Sequence, residues 1–400
     1  MDKLIVILGP SEYGVLAAIK LGFKCIVISP RSSEIPNVVS ERVDSIILVN
    51  SLEDTDEIHQ KLIDITKRYT KIDLVTSFTE MGLESAAILS EQLGLPTNQC
   101  KVVKSTRDKS RMREIFSDNH LLKLNYKLGY IHEFEKNILP IPVPFIIKPF
   151  DGVGSKNIFF IDNQEKWTEW FLKHSNKDYN KWIFEPFIEG PEYSVEIVSS
   201  NGDHFILGIT EKTTSENPHF IEIGHTTPAA ISQELYENIV HITKEALTTI
   251  GVEYGPSHIE VKRNIKDNKI VVIEMHTRPG GDYIPYLHNL STGFDQYELG
   301  IKSHYDSSVL KLQIPQHTQC TSIKFLSFEE GTLLSKGFLD EITDDNIHQW
   351  SIYYNVGDKI KKAVDSHTRA GHVIVKSNSK KLNEQSIVFF EDNLDIKLKK

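Results

Sequence analysis

The first hundred residues alternate short apolar runs with segments of helical periodicity. The apolar runs read LIVILG, KCIVISP, VDSIILVN and IDLVTSF, and the segments between them include SEYGVLAAIKLG, EDTDEIHQKLIDITKRY and ESAAILSEQLGLP. Strands that alternate with helices in this way are typical of a parallel sheet with helices on both faces. We therefore predict a doubly wound parallel sheet at the start of the chain.

The first turn of this sheet, Gly9 to Gly14, bears on whether the sheet binds a dinucleotide. It reads GPSEYG rather than G-x-G-x-x-G, and no acidic residue ends the second strand. A dinucleotide site is expected to have both the glycine pattern and an acidic residue at the end of the second strand. We therefore interpret residues 1–105 as a structural, Rossmann-like domain whose crevice helps to hold a substrate. We favour this interpretation over a nicotinamide-dependent dehydrogenase.

The pattern changes after residue 105. The segment STRDKSRMREIFSDNH predicts a charged amphipathic helix capped by Ser105 or Thr106. From 182 to 300 most segments predict strands, and the weaker pattern beyond 300 predicts a β-rich C-terminal domain. The fold class is therefore a multidomain α/β and α+β chain, which we divide into residues 1–105, 106–183, 184–300 and 301–400.

Composition excludes several classes of protein. The 400 residues carry a net charge of -10, which argues against a general nucleic-acid binder but allows a local basic pocket. Three widely spaced cysteines give neither a disulfide framework nor a metal spacing, which fits a reducing compartment. The N-terminal apolar run is too short for a signal or a membrane span. We expect a cytoplasmic protein without membrane or nucleic-acid partners.

A glycine-rich loop follows Lys148 in the stretch IIKPFDGVGSKNIFFI. An apolar strand precedes the lysine and another apolar run follows the loop, so the stretch predicts a β-hairpin rather than a P-loop. Glycines allow backbone N–H groups to approach an anion, and the lysine adds a positive charge. Taken alone, the loop is either a plain hairpin tip or a phosphate-binding loop.

Two carboxylates, Glu185 and Glu192, flank a proline-containing turn in WIFEPFIEGPEYSVEIV. They are either exposed acids at strand ends or part of a hinge that contacts a nucleotide, with a carboxylate accepting hydrogen bonds from ribose hydroxyls. Neither interpretation is decided by these residues alone.

A stronger signal lies in SHIEVKRNIKDNKIVVIEMHTRPGGD, which predicts two paired strands. Glu260 and Glu274 then face the same way across the hairpin, and His276 and Arg278 continue that face. Carboxylate oxygens on adjacent strands suit Mg²⁺, and such a cluster of charged groups is costly unless it binds something. We interpret this hairpin as a metal and phosphate site.

The order of these segments resembles the ATP-grasp superfamily over roughly residues 1–300. The matching segments are RDKSRMRE, IIKPFDGVGSKNI, FEPFIEGPEYSVE, HIEVK and VIEMHTRPGG. Within the superfamily the chain is most similar to L-amino-acid ligases and related dipeptide- or amide-forming enzymes, through FIEIGHTTPAAI, TRPGGDYIPYL and RAGHVIV. The resemblance implies an ATP-grasp fold after the N-terminal domain, and it also suggests a homodimer.

The resemblance implies roles for individual residues. It implies that Lys109 and Lys148 contact the ATP phosphates and that Gly152, Gly154 and Ser155 belong to a mobile flap over them. It also implies that Glu185, Phe187 and Ile188 belong to a hinge at the adenine and that Glu192 holds the ribose. It implies that Glu260 and Glu274 hold one or two Mg²⁺ ions, with Mn²⁺ as a substitute. Arg278 is expected to steady the transferred phosphoryl group.

The substrate end is implied less firmly. The resemblance places Gly280, Gly281 and Asp282 near the substrates. His225 is either a contact to substrate or intermediate or an ordinary loop histidine, and Lys212 either approaches the γ-phosphate or is structural. Many members carry asparagine where this chain has His276. Because imidazole is a poorer partner for Mg²⁺, we expect His276 at a phosphate or at the substrate rather than on the metal.

The activity implied is an ADP-forming ligase that joins the carboxylate of an amino acid or small acid to the amine of an amino acid through an acyl phosphate. His225, His276 and Asp282 are alternative acceptors of the amine proton. One alternative is a carboxylating ATP-grasp enzyme of purine or biotin type that uses carboxyphosphate. Another is a nucleotide-binding regulatory protein that has lost catalysis, which the full set of charged residues argues against.

Overall fold

The computed structural model of the chain describes residues 3–66, 71–150, 157–175, 181–215, 221–312, 316–339, 343–363, 365–366 and 368–399. Its first elements are β1 (Lys3–Leu8), α1 (Glu12–Lys20), β2 (Phe23–Pro30), α2 (Asn37–Arg42), β3 (Ser45–Val49), α3 (Thr55–Thr66), β4 (Leu74–Ser77) and α4 (Leu83–Gln92). The four strands are parallel in the order β3-β2-β1-β4, as the alternation of strands and helices predicted. Helix α2 was not predicted.

Both faces of this parallel sheet are covered by helices. Leu4, Val6 and Leu8 pack with side chains of α3 and α4 on one face, and Ile5 and Ile7 pack with side chains of α1 and α2 on the other. Burial on both faces explains why β1 reads as a continuous apolar run rather than an alternating one.

Glycine in the first turn serves helix packing. A Cβ at Gly14 would lie 2.2 Å from a ring carbon of Phe78, so only glycine lets α1 approach the sheet this closely. Gly14 occupies the last glycine of the dinucleotide pattern, and the chain departs from the pattern at Ser11, whose side chain caps α1.

Two short helices follow the parallel sheet, α5 (Cys100–Arg107) and α6 (Lys109–Phe116). The prediction of one helix capped by Ser105 or Thr106 is wrong, because both hydroxyls lie inside α5 and donate to backbone carbonyls of its preceding turn. The cap is Asp108, whose side chain accepts from the backbone N–H groups of Ser110 and Arg111. This cap turns the chain and directs Lys109, the first residue of α6, into the site described below.

A smaller antiparallel sheet comes next. It contains β5 (Lys127–Tyr130), β6 (Phe145–Pro149), β7 (Phe159–Ile161) and β8 (Lys181–Pro186) in the order β5-β8-β6-β7, with α7 (Gln164–His174) between β7 and β8. Strands β6 and β7 are antiparallel neighbours, as the predicted hairpin requires. An aromatic cluster that includes Trp167, Trp170 and Trp182 packs this unit together.

The largest sheet is antiparallel and has the order β13-β12-β9-β10-β11-β14-β18-β16. Its elements up to residue 302 are β9 (Glu192–Ser200), β10 (Asp203–Thr214), β11 (Glu222–Thr227), α8 (Gln233–Ile250), β12 (Gly255–Arg263), β13 (Ile270–His276), α9 (Ile284–Thr292) and α10 (Gln296–Lys302). Helix α8 starts at the Ser232 cap and ends at Gly251, which is left-handed at φ 89. Ile239, Leu247 and Ile250 face the sheet, and each contributes roughly 1.5–3 kcal/mol by burial.

The last hundred residues continue the largest sheet. They contain β14 (Cys320–Leu326), β15 (Gly331–Phe338), β16 (Ile347–Ile352), β17 (Lys359–Ile360), β18 (Gly371–Ser377), α11 (Lys380–Asn393) and β19 (Leu394–Lys399). Strand β14 pairs with β11, so strand pairing crosses the predicted boundary at residue 300, which falls inside α10. Strands β17, β15 and β19 form a separate three-stranded sheet. Three short 3₁₀ helices cover Glu80–Gly82, Ile131–Glu133 and Ser307–Lys311.

None of the helices in the described ranges is both long and apolar enough to cross a bilayer.

Candidate functional site

A cavity of about 470 Å³ lies between the smaller antiparallel sheet and the largest sheet. Most of the predicted site residues line it, namely Lys109, Lys148, Glu185, Phe187, Ile188, Glu192, His225, Glu260, Glu274, His276, Arg278, Gly281 and Asp282. The structure thus gathers side chains from α6, β6, β8 and β9 to β13 into one place. The predicted flap residues Gly152, Gly154 and Ser155 lie outside the described residues.

Part of the cavity lining combines apolar side chains with a buried ion-pair cluster. Glu185 accepts from Lys148 Nζ at 2.7 Å and from Arg113 Nε at 2.5 Å. Burial opposes ionisation of Glu185, but the charges of Arg113 and Lys148 outweigh it and lower the pKa to about 2. The Glu185 carboxylate is therefore engaged in fixing Lys148, while Phe187 and Ile188 of the predicted hinge line the cavity.

The predicted metal carboxylates are direct cross-strand neighbours, Glu260 on β12 opposite Glu274 on β13. Lys109 Nζ lies 2.9 Å from Glu274, and Lys212 Nζ lies 2.6 Å from Glu260. Burial raises the pKa of each carboxyl, but the neighbouring lysine and histidine of each together outweigh this effect and hold the pKa well below its usual range. Two ionised carboxylates facing one cavity are a donor set that fits Mg²⁺.

Lys212 lies among carboxylates and is not part of the cavity lining. Its ammonium group contacts Glu192 at 3.0 Å, Glu222 at 2.8 Å and Glu260 at 2.6 Å, and its side chain is 1% exposed. Burial lowers the pKa of Lys212, but the three carboxylates outweigh burial and raise the pKa well above its ordinary value. Carboxylate oxygens of these three acids also lie within 4.8 Å of one another.

The cavity lining also carries opposite charges that pair with distant parts of the chain. Arg278 donates to Glu80 at 2.6 Å, and Asp282 accepts from Arg369 at 2.7 Å. Within the described residues neither ring nitrogen of His225 makes a hydrogen bond, and Nε2 lies 3.6 Å from Asp282. These residues can therefore contact both a carboxylate and an amine.

Sequence reasoning missed four residues of this site, Glu80, Arg113, Glu222 and Arg369. Glu80 follows β4, at the carboxyl end of a parallel strand, where ligands commonly bind, so its position was a usable signal. Glu222 lies three residues before His225 on β11, in a segment that the resemblance had already selected. Arg113 and Arg369 also lie in segments that the resemblance had selected, RDKSRMRE and RAGHVIV, but their partners are remote in sequence, so no local pattern indicated their contacts.

The ion pairs of Glu80 predict an acid-sensitive contribution to stability. Burial opposes its ionisation, but the hydrogen bond from His276 and the charge of Arg278 lower its pKa from 4.5 to about 2. A carboxyl with a depressed pKa stabilises the folded state above pH 4.5, by roughly 3 kcal/mol here, and this is lost as the pH falls towards 2.

Chemical denaturation of the wild type and Glu80→Gln, compared between pH 7 and pH 3, checks this expectation. The wild type should be the more stable protein near neutrality, and the difference should shrink below pH 4.5. Parallel stability profiles for the two proteins would contradict the assignment.

Family models match both halves of this architecture. An ATP-grasp domain model matches residues 141–285, and an ATP-grasp N-terminal domain model matches residues 15–97. Together they span more than half of the 400 residues, and the chain belongs to the ATP-grasp family.

The most similar proteins include amide-forming enzymes. The chain is 24% identical over 272 residues to an alanine–anticapsin ligase of Bacillus subtilis, covering 61% of this chain and 56% of that ligase. The crystal structure of an L-amino acid ligase from Bacillus licheniformis superimposes with a TM-score of 0.85 at 22% identity, over 100% of this chain and 99% of that one. The chain spans less than two thirds of the length of the first curated relatives that it matches.

The fold is shared with a carboxylating enzyme as well. The structure of an N5-carboxyaminoimidazole ribonucleotide synthetase from Thermotoga maritima superimposes with a TM-score of 0.70 at 18% identity, over the full length of both chains. At this identity the likeness shows the fold alone.

Proposed function

We propose that this chain is an ATP-dependent ligase that joins a small carboxylate substrate to an amine, with ADP and phosphate as products. The observation that carries the proposal is that one cavity is lined by two lysines, two ionised carboxylates and further groups of opposite charge. Lys109, Lys148, Glu260 and Glu274 line it together with Arg278 and Asp282. The similarity to amide-forming ligases supports the same conclusion.

In the proposed first step, an oxygen of the substrate carboxylate attacks the γ-phosphorus of ATP. The bond from that phosphorus to the β–γ bridging oxygen breaks, and ADP leaves. Lys109, Lys148 and Arg278 neutralise charge on the phosphates, because phosphoryl transfer depends mostly on positioning and charge stabilisation. Glu260 and Glu274 would hold Mg²⁺, which would act as a Lewis acid on the phosphate oxygens.

In the second step, the neutral amine attacks the carbonyl carbon of the acyl phosphate and phosphate leaves, which forms the amide. The amine must lose a proton, and His225, His276 and Asp282 are the candidate acceptors. The ring of His225 is buried, is free of hydrogen bonds among the described residues and lines the cavity, which favours it for contact with a substrate. The walls of a closed site would protect the acyl phosphate from water.

A substrate screen tests this proposal. Purified protein, ATP and Mg²⁺ are incubated with pairs of amino acids and small carboxylates, and phosphate release, the nucleotide product and the product mass are measured. We expect ADP, phosphate and an amide. With an ¹⁸O-labelled carboxylate substrate, one ¹⁸O atom should appear in the released phosphate.

Two results would replace the proposal. Formation of AMP and pyrophosphate would reject the acyl-phosphate route, because it would require adenylyl transfer. Formation of ADP that depends on bicarbonate and not on an amino acid would favour the carboxylating alternative.

A further inference from the structure

Behind Glu260 lies a buried histidine and then a second buried carboxylate. Nε2 of His258 lies 3.2 Å from Glu260, and Nδ1 of the same ring lies 2.6 Å from Glu196. Glu196 is fully buried on β9 and pairs in register with His258 on β12. We call these three residues, Glu260, His258 and Glu196, the inner chain.

Glu274 has a matching arrangement. Nε2 of His276 lies 2.6 Å from Glu274, and Nδ1 lies 3.1 Å from Glu80. We call Glu274, His276 and Glu80 the outer chain. The outer chain gives His276 a position between two carboxylates, and its contact with a phosphate or the substrate stays a prediction.

The two chains are related by the hairpin of β12 and β13. His258 stands opposite His276, Glu260 stands opposite Glu274, and the two rings lie 6.2 Å apart with an interplanar angle of 26°. Each metal carboxylate therefore contacts a histidine on its own strand, two residues away. His258 is hydrogen-bonded through both ring nitrogens and His276 through Nε2, and such contacts restrict the orientation of the carboxylates.

Both chains end at the same loop, residues 278–282, which we call the substrate loop. Glu196 accepts from the backbone N–H of Gly280 at 3.3 Å, and Glu80 accepts from Arg278 at 2.6 Å. A Cβ at Gly280 would lie 2.7 Å from Nδ1 of His258, so the loop packs directly on the inner chain. Metal carboxylates and substrate loop are thus joined by continuous contacts.

Burying a charged pair such as Glu196 and His258 adds little to the stability of the fold. Glu196 and His258 are buried on neighbouring strands of the largest sheet, where an ion pair gains little over apolar side chains of similar volume. A role beyond folding is therefore expected of the pair.

We infer that the inner and outer chains are positioning devices that couple the two metal carboxylates to the substrate loop. His258 and His276 orient Glu260 and Glu274, and a displacement of the loop at Gly280 or Arg278 moves those carboxylates. The inference rests on the proposed function, because it takes Glu260 and Glu274 as the metal ligands.

Gly280→Ala tests the coupling without a known substrate. The added methyl would press on His258, which is not itself a predicted metal ligand. We expect the dissociation constant of Mn²⁺ in the presence of ADP, measured by electron paramagnetic resonance, to rise about 10-fold to 100-fold. Gly281→Ala is the matched control for metal binding, because a Cβ there meets no atom within 4 Å.

A second variant covers the case in which Gly280→Ala does not fold. Glu196→Gln keeps the size of the side chain and a carbonyl that can accept from Gly280, but it removes the charge beside His258. We expect about a tenfold loss of Mn²⁺ affinity with a melting temperature that still shows a folded protein.

Unchanged Mn²⁺ affinity in a folded Gly280→Ala or Glu196→Gln protein would overturn the coupling. A wild-type protein that binds no Mn²⁺ with ADP would instead overturn the proposed function, so the two failures are distinguishable. Loss of affinity in Gly281→Ala equal to that in Gly280→Ala would also overturn the coupling, because it would show a general sensitivity of the loop.

Discussion

Replacement of Glu274 by glutamine is expected to lower ATP-dependent phosphate release about a thousandfold, because a bound metal supplies several kcal/mol of charge stabilisation and each ~1.4 kcal/mol is tenfold in rate. The amide keeps the shape of the side chain but not its charge. It is a weaker metal ligand, and it leaves Lys109 and His276 without the carboxylate that they contact at 2.9 Å and 2.6 Å.

The measurement is phosphate release with the substrate pair found by the screen, together with Mn²⁺ binding in the presence of ADP. Glu211→Gln is the matched control, because Glu211 makes an ion pair with Lys380 at 2.8 Å and does not line the cavity. We expect the control to keep its turnover and Glu274→Gln to remain folded. Normal turnover in Glu274→Gln would remove Glu274 from the metal site.

The parts of the site that the sequence predicted are those carried by local periodicity. Glu260 and Glu274 lie on two strands joined by a short connection, so alternation and pairing alone predicted that they would be neighbours. The same reasoning predicted the parallel N-terminal sheet and the hairpin of β6 and β7. In each case, neighbouring stretches of the chain form the structure.

The parts that it missed depend on contacts between remote segments. Glu80 is 198 residues from Arg278 in sequence, and Arg113 is 159 residues from Val272. The hydrophobic pattern of a single helix or strand therefore could not predict these contacts. The division of one predicted helix into α5 and α6 has a local cause, the Asp108 cap, which competed with the equally plausible caps Ser105 and Thr106. The contact between His276 and Glu80 was missed for the same reason, because Glu80 follows the last strand of the N-terminal sheet.

Replacement of Arg113 by methionine is expected to lower the free energy of unfolding by about 3–5 kcal/mol, because it leaves buried polar groups without their partner. Arg113 is 1% exposed. Its guanidinium donates to Glu185 and to the backbone carbonyls of Val272 at 2.7 Å and Ile273 at 3.2 Å. It therefore joins α6 to β8 and β13. These two strands carry Glu185, the partner of Lys148, and Glu274.

Urea unfolding followed by tryptophan fluorescence measures this loss of stability in the unit that contains β8. Trp167, Trp170 and Trp182 belong to the core of the smaller antiparallel sheet, which contains β8, so their emission reports on the unit that Arg113 holds. Arg111→Met is the matched control on the same helix, since Arg111 is exposed and its pair with Asp108 spans 3.4 Å. An exposed pair of this kind contributes about 0–1 kcal/mol.

Equal unfolding midpoints for the two variants would show that the buried guanidinium does not fix the strands of the site, and the positions of Lys148 and Glu274 would then depend on other contacts.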